Sequence, residues 1–559
     1  MLNFIIGRNN SGKTEKIRAL IAERASENKK CILIVPEQFS FESERSILEK
    51  IGAQKMLNVD ILSFTRLAFV INEQYGKALN KTIDDGTRKV LMSLSLEALS
   101  GKLEYFKRFS SKPALLSNLL TFVNELKQCA VTPDEIAEIS GKTGNKSLGK
   151  KLSELSLIAA SYDALVSRSF FDDENLLTIA ADMISETDFF DGKTVYFDAF
   201  CGFTKQERNC IKSILPKAEN VFISLCTDRD LSREGVSVFE NVNSEFSHLK
   251  ECAAEQNVGV SSPEILNVKE DGRSPELVYL EKYLCGEESE PYKEECDNIV
   301  VCAAGNRADE ADFVACEIKK LLRCNPTLRC RNIAVIERTA GTYDKELSES
   351  FKKYGVPMFE DKRRPIGIQP VMVFVKCLLA LCAEGFSTES FMRLLKTGLT
   401  ALSGDEISEL ENYAFLWNID GSKWRRDFTE NPDGLGFDVT EKSQEKLIRL
   451  NDIRKRSVLP VLAFKKDFEE ADGEKKSRLI YEFLIKNGVT ERLREKIEYL
   501  VSSGDTVLCE EQDTVWATLM DMLGKMASAI GETVITAKRY SELFNILLSA
   551  VTIGRNLTA

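Results

Sequence analysis

Leu2-Asn3-Phe4-Ile5-Ile6-Gly7-Arg8-Asn9-Asn10-Ser11-Gly12-Lys13-Thr14 is the stretch that decides how this 559-residue chain begins to fold. Residues 7–14 meet the G-x-x-x-x-G-K-[ST] pattern at every defined position. The apolar run before them reads as a short strand, and residues 15–25 after them read as a helix. A strand, a glycine turn and a helix in that order aim backbone N–H groups at a polyphosphate. Gly7 and Gly12 permit the turn, and the backbone of Asn10 and Ser11 lines it. Lys13 extends a mobile ammonium toward the β and γ phosphates, and the Thr14 hydroxyl suits one position on Mg²⁺, a cation that takes oxygen ligands. The expected ligand is ATP or GTP with Mg²⁺. An ordinary glycine turn before a helix would not need all of these features together.

Outward from that motif, short β-branched runs alternate with helical stretches. They fall at 2–6, 31–35, 59–62, 194–197 and 221–225, a rhythm that predicts a parallel sheet wrapped by helices. Between 66 and 190 the rhythm stops, and 115–126 and 152–165 carry helical periodicity, as a helical insertion would. A polar, acidic stretch follows, with Ser261-Ser262-Pro263, Asp271-Gly272 and a glutamate cluster at 287–290, and reads as a linker. Strand-like runs return at 298–302 and 332–336 around an amphipathic helix at 309–322. From 370 onward the pattern is almost wholly helical, including 387–396 and 408–417. The expected layout is a first α/β lobe from 1–65 and 191–260, a helical insertion at 66–190 and a linker at 261–297. A second α/β lobe begins at 298–370, and a second helical insertion occupies 371–559. The last residues, Gly554 to Ala559, come without a return to strands, so the second lobe reads as incomplete.

Composition narrows the class. With 29% charged residues and only 13 prolines, long disordered tracts are not expected. No apolar run is long enough to span a bilayer, and 2–6 is too short for a signal peptide, so no membrane association and a cytoplasmic location are expected. The 15 cysteines are scattered, odd in number and mostly inside apolar segments, as reduced core thiols would be. The pairs Cys296/Cys302, Cys324/Cys330 and Cys377/Cys382 lack the spacing of a zinc knuckle. The single histidine, His248, argues against a Ser-His-Asp triad or a histidine metal cage. A net charge of −12 argues against indiscriminate nucleic-acid binding but leaves room for a local basic groove.

A phosphate loop needs a carboxylate at the end of a neighbouring strand to hold the metal through water, and Val195-Tyr196-Phe197-Asp198 supplies one. Asp198 is followed by Ala199, which cannot accept the proton of an attacking water, so weak or absent hydrolysis is expected. Glu207 would serve as a base only if the chain returned in space. Two strand-end loops carry hydrogen-bonding groups suited to a nucleic-acid backbone. The first is Val35-Pro36-Glu37-Gln38-Phe39-Ser40-Phe41-Glu42, with Gln38 and Ser40 as donors and Phe39 or Phe41 as a stacking surface. The second is Ser63-Phe64-Thr65-Arg66-Leu67, with two hydroxyls, an aromatic ring and a guanidinium. Their competing readings are helix caps at Ser40 and Ser63 with the aromatic rings buried. Arg338, after the run at 332–336, has the place of an arginine finger, or of a surface ion pair. The clusters Lys362-Arg363-Arg364, Arg425-Arg426 and Arg454-Lys455-Arg456 line a DNA path or simply solvate helix faces.

Taken together, these segments resemble the B subunits of bacterial AddAB-type (RexAB-type) ATP-dependent helicase-nucleases. The likeness runs in order through residues 7–14, VPEQFSFE (35–42), SFTRL (63–67), VYFDAFCGFTKQE (195–207), NIAVIER (332–338), residues 354–357, LLKTGL (394–399) and LENYAFLWNIDGSKW (410–424). The resemblance implies a superfamily-1 helicase-like fold, with P-loop (RecA-like) parallel sheets and large helical insertions. It also implies a division of labour: a partner A subunit drives translocation in a heterodimer, while the B subunit surveys single-stranded DNA for the recombination hotspot during double-strand break repair. By position, Lys13 and Thr14 would bind phosphate and Mg²⁺, with Asp198 assisting the metal. The segments around Gln38 and Ser63 to Arg66 would correspond to DNA-facing motifs. Family members are considerably longer, and their second half completes the second lobe and adds a nuclease domain with an iron-sulfur cluster. Neither feature is recognisable here, so no cluster ligands or nuclease residues are assigned, and the chain reads as a truncated or fragmentary member of that family. The alternatives are an autonomous DNA-stimulated ATPase or helicase, and a scaffold with a vestigial phosphate loop.

Overall fold

The computed structural model describes residues 1–76, 83–107, 112–169, 175–227, 238–267, 273–283, 290–339, 341–358, 364–504 and 506–553. Asp271-Gly272, Lys362, Arg363, most of the 287–290 cluster and the final residues from Gly554 lie outside them.

The first lobe is built on β1 (Leu2–Ile6), α1 (Lys13–Ser26), β2 (Cys31–Ile34), α2 (Ser40–Ile51), α3 (Ala53–Met56), β3 (Val59–Leu62) and α4 (Phe64–Tyr75). After α5 (Asp85–Ala98), α6 (Pro113–Gln128), α7 (Pro133–Lys142), α8 (Lys146–Ser169) and α9 (Leu176–Glu186), the chain returns to it. There it adds β4 (Thr194–Phe197), α10 (Lys205–Ile214), β5 (Asn220–Leu225), α11 (Glu240–Glu255), β6 (Glu264–Ile265) and α12 (Pro275–Tyr283). The six strands form one all-parallel sheet in the order β3-β2-β4-β5-β1-β6. The parallel α/β class expected for this part of the chain is what forms.

Because side chains alternate across a strand, each apolar run feeds two cores. Leu2, Phe4 and Ile6, with Ile32, Ile34, Val195 and Phe197, face α4, α9, α10 and α11. Ile5, Cys31, Leu33, Val59, Ile61 and Tyr196 face α1 and α2 on the other side. Burial explains why Cys31 is a packing residue: it pushes the thiol up to about 11, against the pull of Arg24. The cysteines whose side chains are described, Cys31, Cys210, Cys377 and Cys382 in the cores among them, are free thiols. His248, the lone histidine, is exposed on α11.

The remaining elements are α13 (Arg307–Cys324), α14 (Asp344–Tyr354), β7 (Arg364–Pro365), α15 (Pro370–Ala383), α16 (Thr388–Leu395) and α17 (Gly404–Leu416). They continue with α18 (Glu441–Glu470), α19 (Gly473–Lys486), α20 (Val489–Ser502), α21 (Thr506–Ile530), α22 (Ala537–Ala550) and β8 (Thr552–Ile553). Two findings differ from the sequence expectation. First, the runs at 298–302 and 332–336 form no strand ladder. A strand requires a neighbouring strand to take its N–H and C=O groups, and no described strand pairs with either run. Val301 and Ile336 are accordingly left exposed. Second, α5, α6 and α8 share one continuous apolar core with α15–α22, although the whole of 170–369 separates the two segments. Helices α4 and α9, by contrast, pack on the sheet.

The joint between the two helical segments is specific. A Cβ added to Gly86 of α5 would meet Leu547 Cδ1 of α22 at 2.4 Å, so a larger residue there would force the Leu547 side chain to shift. Lys525 of α21 pairs with Asp84, the N-cap of α5, at 2.7 Å. Arg539 of α22 reaches Glu97 at 2.8 Å and the Ser93 hydroxyl at 3.0 Å. The antiparallel pairing of β7 with β8 closes the base of the 366–551 helical segment. Among the described residues, no helix is long and apolar enough to cross a membrane.

Candidate nucleotide and DNA face

All the candidate groups on the sheet lie at the carboxyl ends of its strands, the edge where ligands of open parallel sheets bind. Beyond β1 the chain turns through Asn10 at φ 56° and Gly12 at φ 89°, both left-handed. Glycine takes that conformation freely and asparagine with little cost. Gly7 is fixed for a different reason: a Cβ there would sit 2.4 Å from Ser11 Oγ and 2.8 Å from the Leu266 carbonyl. Lys13 folds back so that its ammonium donates to the carbonyls of Gly7 at 2.7 Å and Arg8 at 2.8 Å. Ser11 is buried, and its hydroxyl has no hydrogen-bond partner. A turn with left-handed residues, a cation satisfied only by its own loop and an orphaned buried hydroxyl fits a phosphate group. Thr14 lies half-buried in the first turn of α1.

Asp198 follows β4, with one strand, β5, between it and the strand of the phosphate loop. It is 5% exposed, and its Oδ1 accepts a 2.5 Å hydrogen bond from Ser224 of β5. Its backbone N–H donates to the Ile34 carbonyl at 3.1 Å. No motif marks Ser224; its signal is a hydroxyl inside the otherwise apolar run Val221–Leu225. Ala199 is exposed and left-handed at φ 65°. Glu207 is engaged elsewhere. Its carboxylate accepts from the Thr204 N–H at 2.7 Å in a capping box that starts α10.

The two strand-end loops lie side by side because β2 pairs with both β3 and β4. Their residues divide. Gln38 is exposed, Ser40 opens α2 half-buried, and Phe39 and Phe41 both stand on the surface, Phe41 at 78% exposure. Ser63 and Phe64 take the competing reading. The Ser63 hydroxyl caps α4 through the Arg66 N–H at 3.1 Å and lies 3.4 Å from Glu37. Phe64 is buried among Phe197, Phe200 and Phe203, with ring centroids 5.5–6.1 Å away. Thr65 and Arg66 remain exposed, Arg66 within 3.5 Å of Glu44.

The other candidates are not gathered here. Arg338 is exposed in the turn before α14, next to Glu337, whose carboxylate accepts from the Gly341 and Tyr343 N–H groups. No described hydrogen bond or ion pair joins Arg338 to the phosphate loop. Arg454 is buried under Trp424 and Phe428, where it donates to the Trp424 carbonyl at 3.0 Å and pairs with Asp427. Arg456 pairs with Glu406 and Asp452, and Lys455 lies 3.8 Å from Asp427. That cluster is therefore committed to internal ion pairs, while Arg425 and Arg426 are exposed. Among the described residues no group of three or more His, Cys, Asp or Glu side chains forms a metal cage.

Comparison with known proteins places this geometry in a family. The family model described as "ADDB, N-terminal" matches residues 4–281, which takes in all of the six-stranded sheet but the first two residues of β1. The ATP-dependent helicase/deoxyribonuclease B subunit of Acetivibrio thermocellus is 29% identical over 99% of this chain and 49% of that protein. The proteins of the same name from Clostridium acetobutylicum and Clostridioides difficile are 29% and 28% identical, each over 98% of this chain and 48% of their own length. The chain thus spans about half the length of the curated relatives it matches. With the family model lying on the sheet that carries the phosphate-loop pattern, and the relatives aligning through both helical segments, residues 4–281 match the N-terminal part of the AddB family and the chain as a whole is similar to helicase/deoxyribonuclease B subunits.

Proposed function

We propose that this chain is the nucleotide-binding and DNA-surveying part of the B subunit of an ATP-dependent helicase/deoxyribonuclease, a poor motor that acts with a translocating A subunit. Its setting is cytoplasmic repair of double-strand breaks by homologous recombination. The domain layout proposed from sequence, a first α/β lobe with a helical insertion and the start of a second lobe with its own, would be the frame for that role. The observation that carries the reading is the pairing of a phosphate loop with Asp198-Ala199, a metal-side carboxylate followed by a residue that cannot act as a base.

In this reading the N–H groups around Asn10, Ser11 and Gly12 face the phosphates of ATP, and the Ser11 hydroxyl gains the partner it lacks. Lys13 exchanges its two carbonyl partners for phosphate oxygens, a stronger charge-assisted contact. Thr14 and, through water, Asp198 would hold Mg²⁺, which would screen charge between the phosphates. Ser224 fixes the carboxylate of Asp198 in one orientation, leaving its second oxygen for the metal's water. Arg338 would act only if the segment at 332–339 moved to the phosphate loop.

Single-stranded DNA would lie across the carboxyl ends of β2, β3 and β4. Gln38, Ser40, Thr65 and Arg66 would contact its backbone, and Phe39 and Phe41 would stack on bases. Ser63 and Phe64 would position that surface from beneath it, with double-stranded DNA reaching it through the complete heterodimer.

Calorimetric titration with Mg-ATP, followed by an ATPase assay, tests the reading. Expected are binding that Lys13→Ala removes and turnover near background with or without DNA. DNA-stimulated turnover that vanishes in Lys13→Ala would overturn it in favour of an autonomous motor, and no heat at all would favour a scaffold.

A further inference from the structure

The second residue of the phosphate loop points to a feature outside the motif. Arg8 donates to the carbonyls of Glu281 at 3.3 Å and Lys282 at 3.2 Å, the last turn of α12, and its guanidinium lies 5.5 Å from the centre of the Phe239 ring. The end of α12 is therefore held against the mouth of the loop. On that helix Tyr279 and Tyr283 stand one turn apart with ring centroids 4.4 Å apart, and Tyr292 closes on Tyr279 at 5.0 Å. Tyr292 is brought back by Glu276, which is buried and accepts from the Asn298 backbone at 3.1 Å and its side-chain amide at 2.6 Å. None of the three tyrosines belongs to any of the four apolar cores of the described residues. All three are half-buried. A ring cluster that supports no core, at the rim of a phosphate cradle, has the chemistry of a stacking seat.

We propose that Tyr283, backed by Tyr279 and Tyr292, seats the purine base of the nucleotide whose phosphates the loop at 7–14 holds; this rests on the nucleotide-binding reading above. An aromatic face stacks on any base, and more strongly on a purine, so the seat would favour ATP or GTP over a bare polyphosphate. Arg8 is the positioning residue, because it fixes the distance between cradle and seat.

The test is calorimetry on the full chain with two ligands, Mg-ATP and Mg-tripolyphosphate. Expected is a loss of about tenfold in ATP affinity in Tyr283→Ala, with tripolyphosphate affinity unchanged and Tyr283→Phe close to the parent. Unchanged tripolyphosphate binding also reports that the variant is folded. ATP affinity indifferent to Tyr283→Ala, or equal losses for both ligands, would overturn the base seat while leaving the phosphate cradle standing. Failure of the parent protein to bind either ligand would instead remove the cradle, and the seat with it.

Discussion

The sheet lobe and the helical body are assembled by opposite rules. In the sheet lobe the five longer strands are short, mostly apolar runs, and β1, β2 and β4 feed cores on both faces of the sheet. Their partners follow from parallel pairing, and the candidate site residues sit where the strands end. In the helical body no single stretch contains a core: α5 is sandwiched by α21 and α22, from the far end of the chain, as well as by its neighbours α6 and α8. The contrast separates two kinds of information. Local pattern suffices where the element and its site are contiguous. It fails where one apolar stripe must find another hundreds of residues away, because a stripe states that it will be covered and not by what.

The largest effect should come from the joint of the helical body. Leu547→Ala removes the side chain that fills the space above Gly86 and should cost about 2–5 kcal/mol in denaturant unfolding. If the body is one unit, hydrogen exchange should rise in α5 as well as α22. Faster exchange in α22 alone would show two separable insertions.

A second variant addresses the sheet lobe without touching that joint. Gly7→Ala drives a Cβ against the carbonyl of Leu266, a residue whose own N–H donates to the Ile6 carbonyl at 2.7 Å, so the loop must yield. Mg-ATP affinity should fall by at least about tenfold, a cost near 1.4 kcal/mol, while exchange in the helical body stays as in the parent. Loss of protection in both regions would mean that they are not independent.

Phe41→Ala should leave the unfolding midpoint unchanged, since the ring is 78% exposed, and should weaken single-stranded DNA binding by the copurified pair about fivefold. Unchanged DNA affinity in a variant that also lacks Arg66 and Gln38 would remove the β2–β3 face from the DNA path.

The smallest effect belongs to the ion pair across the joint. Burial alone would raise the Asp84 carboxyl, but hydrogen bonds from Lys525 and Thr87 outweigh it and hold the group below its ordinary value. A carboxyl lowered in the folded state contributes stability above its unfolded value of about 4 and loses it as pH falls through the folded value. Both partners are partly exposed, so Lys525→Met should cost about 0.5 kcal/mol at neutral pH. The difference from the parent should disappear at the acid end; a gap independent of pH would assign the effect to packing.

Legibility from sequence follows the same division. The phosphate loop, Asp198 and the five principal strands were readable because spacing and β-branched runs encode them directly. Ser63 and Phe64 were not, because a hydroxyl before a helix serves equally as a cap or as a phosphate contact; the hydrogen bond to the Arg66 N–H and the ring cluster around Phe197 decide it. The basic run at 454–456 was equally ambiguous, since charge pattern does not reveal whether a partner such as Asp427 or Glu406 lies opposite. The runs at 298–302 and 332–336 have strand composition, but a strand exists only beside another.

By itself, then, the amino-acid order determined a parallel α/β lobe with a glycine turn of phosphate-loop pattern and an alanine after Asp198, because each of those is written in contiguous residues whose backbone and side-chain preferences act locally. Only the tertiary structure decided that the two helical stretches share one core, that Ser224 orients Asp198 and that Arg8 brings α12 to the mouth of the loop. Each of these depends on which distant surface excludes water most completely when the chain closes on itself, and no local pattern carries that choice.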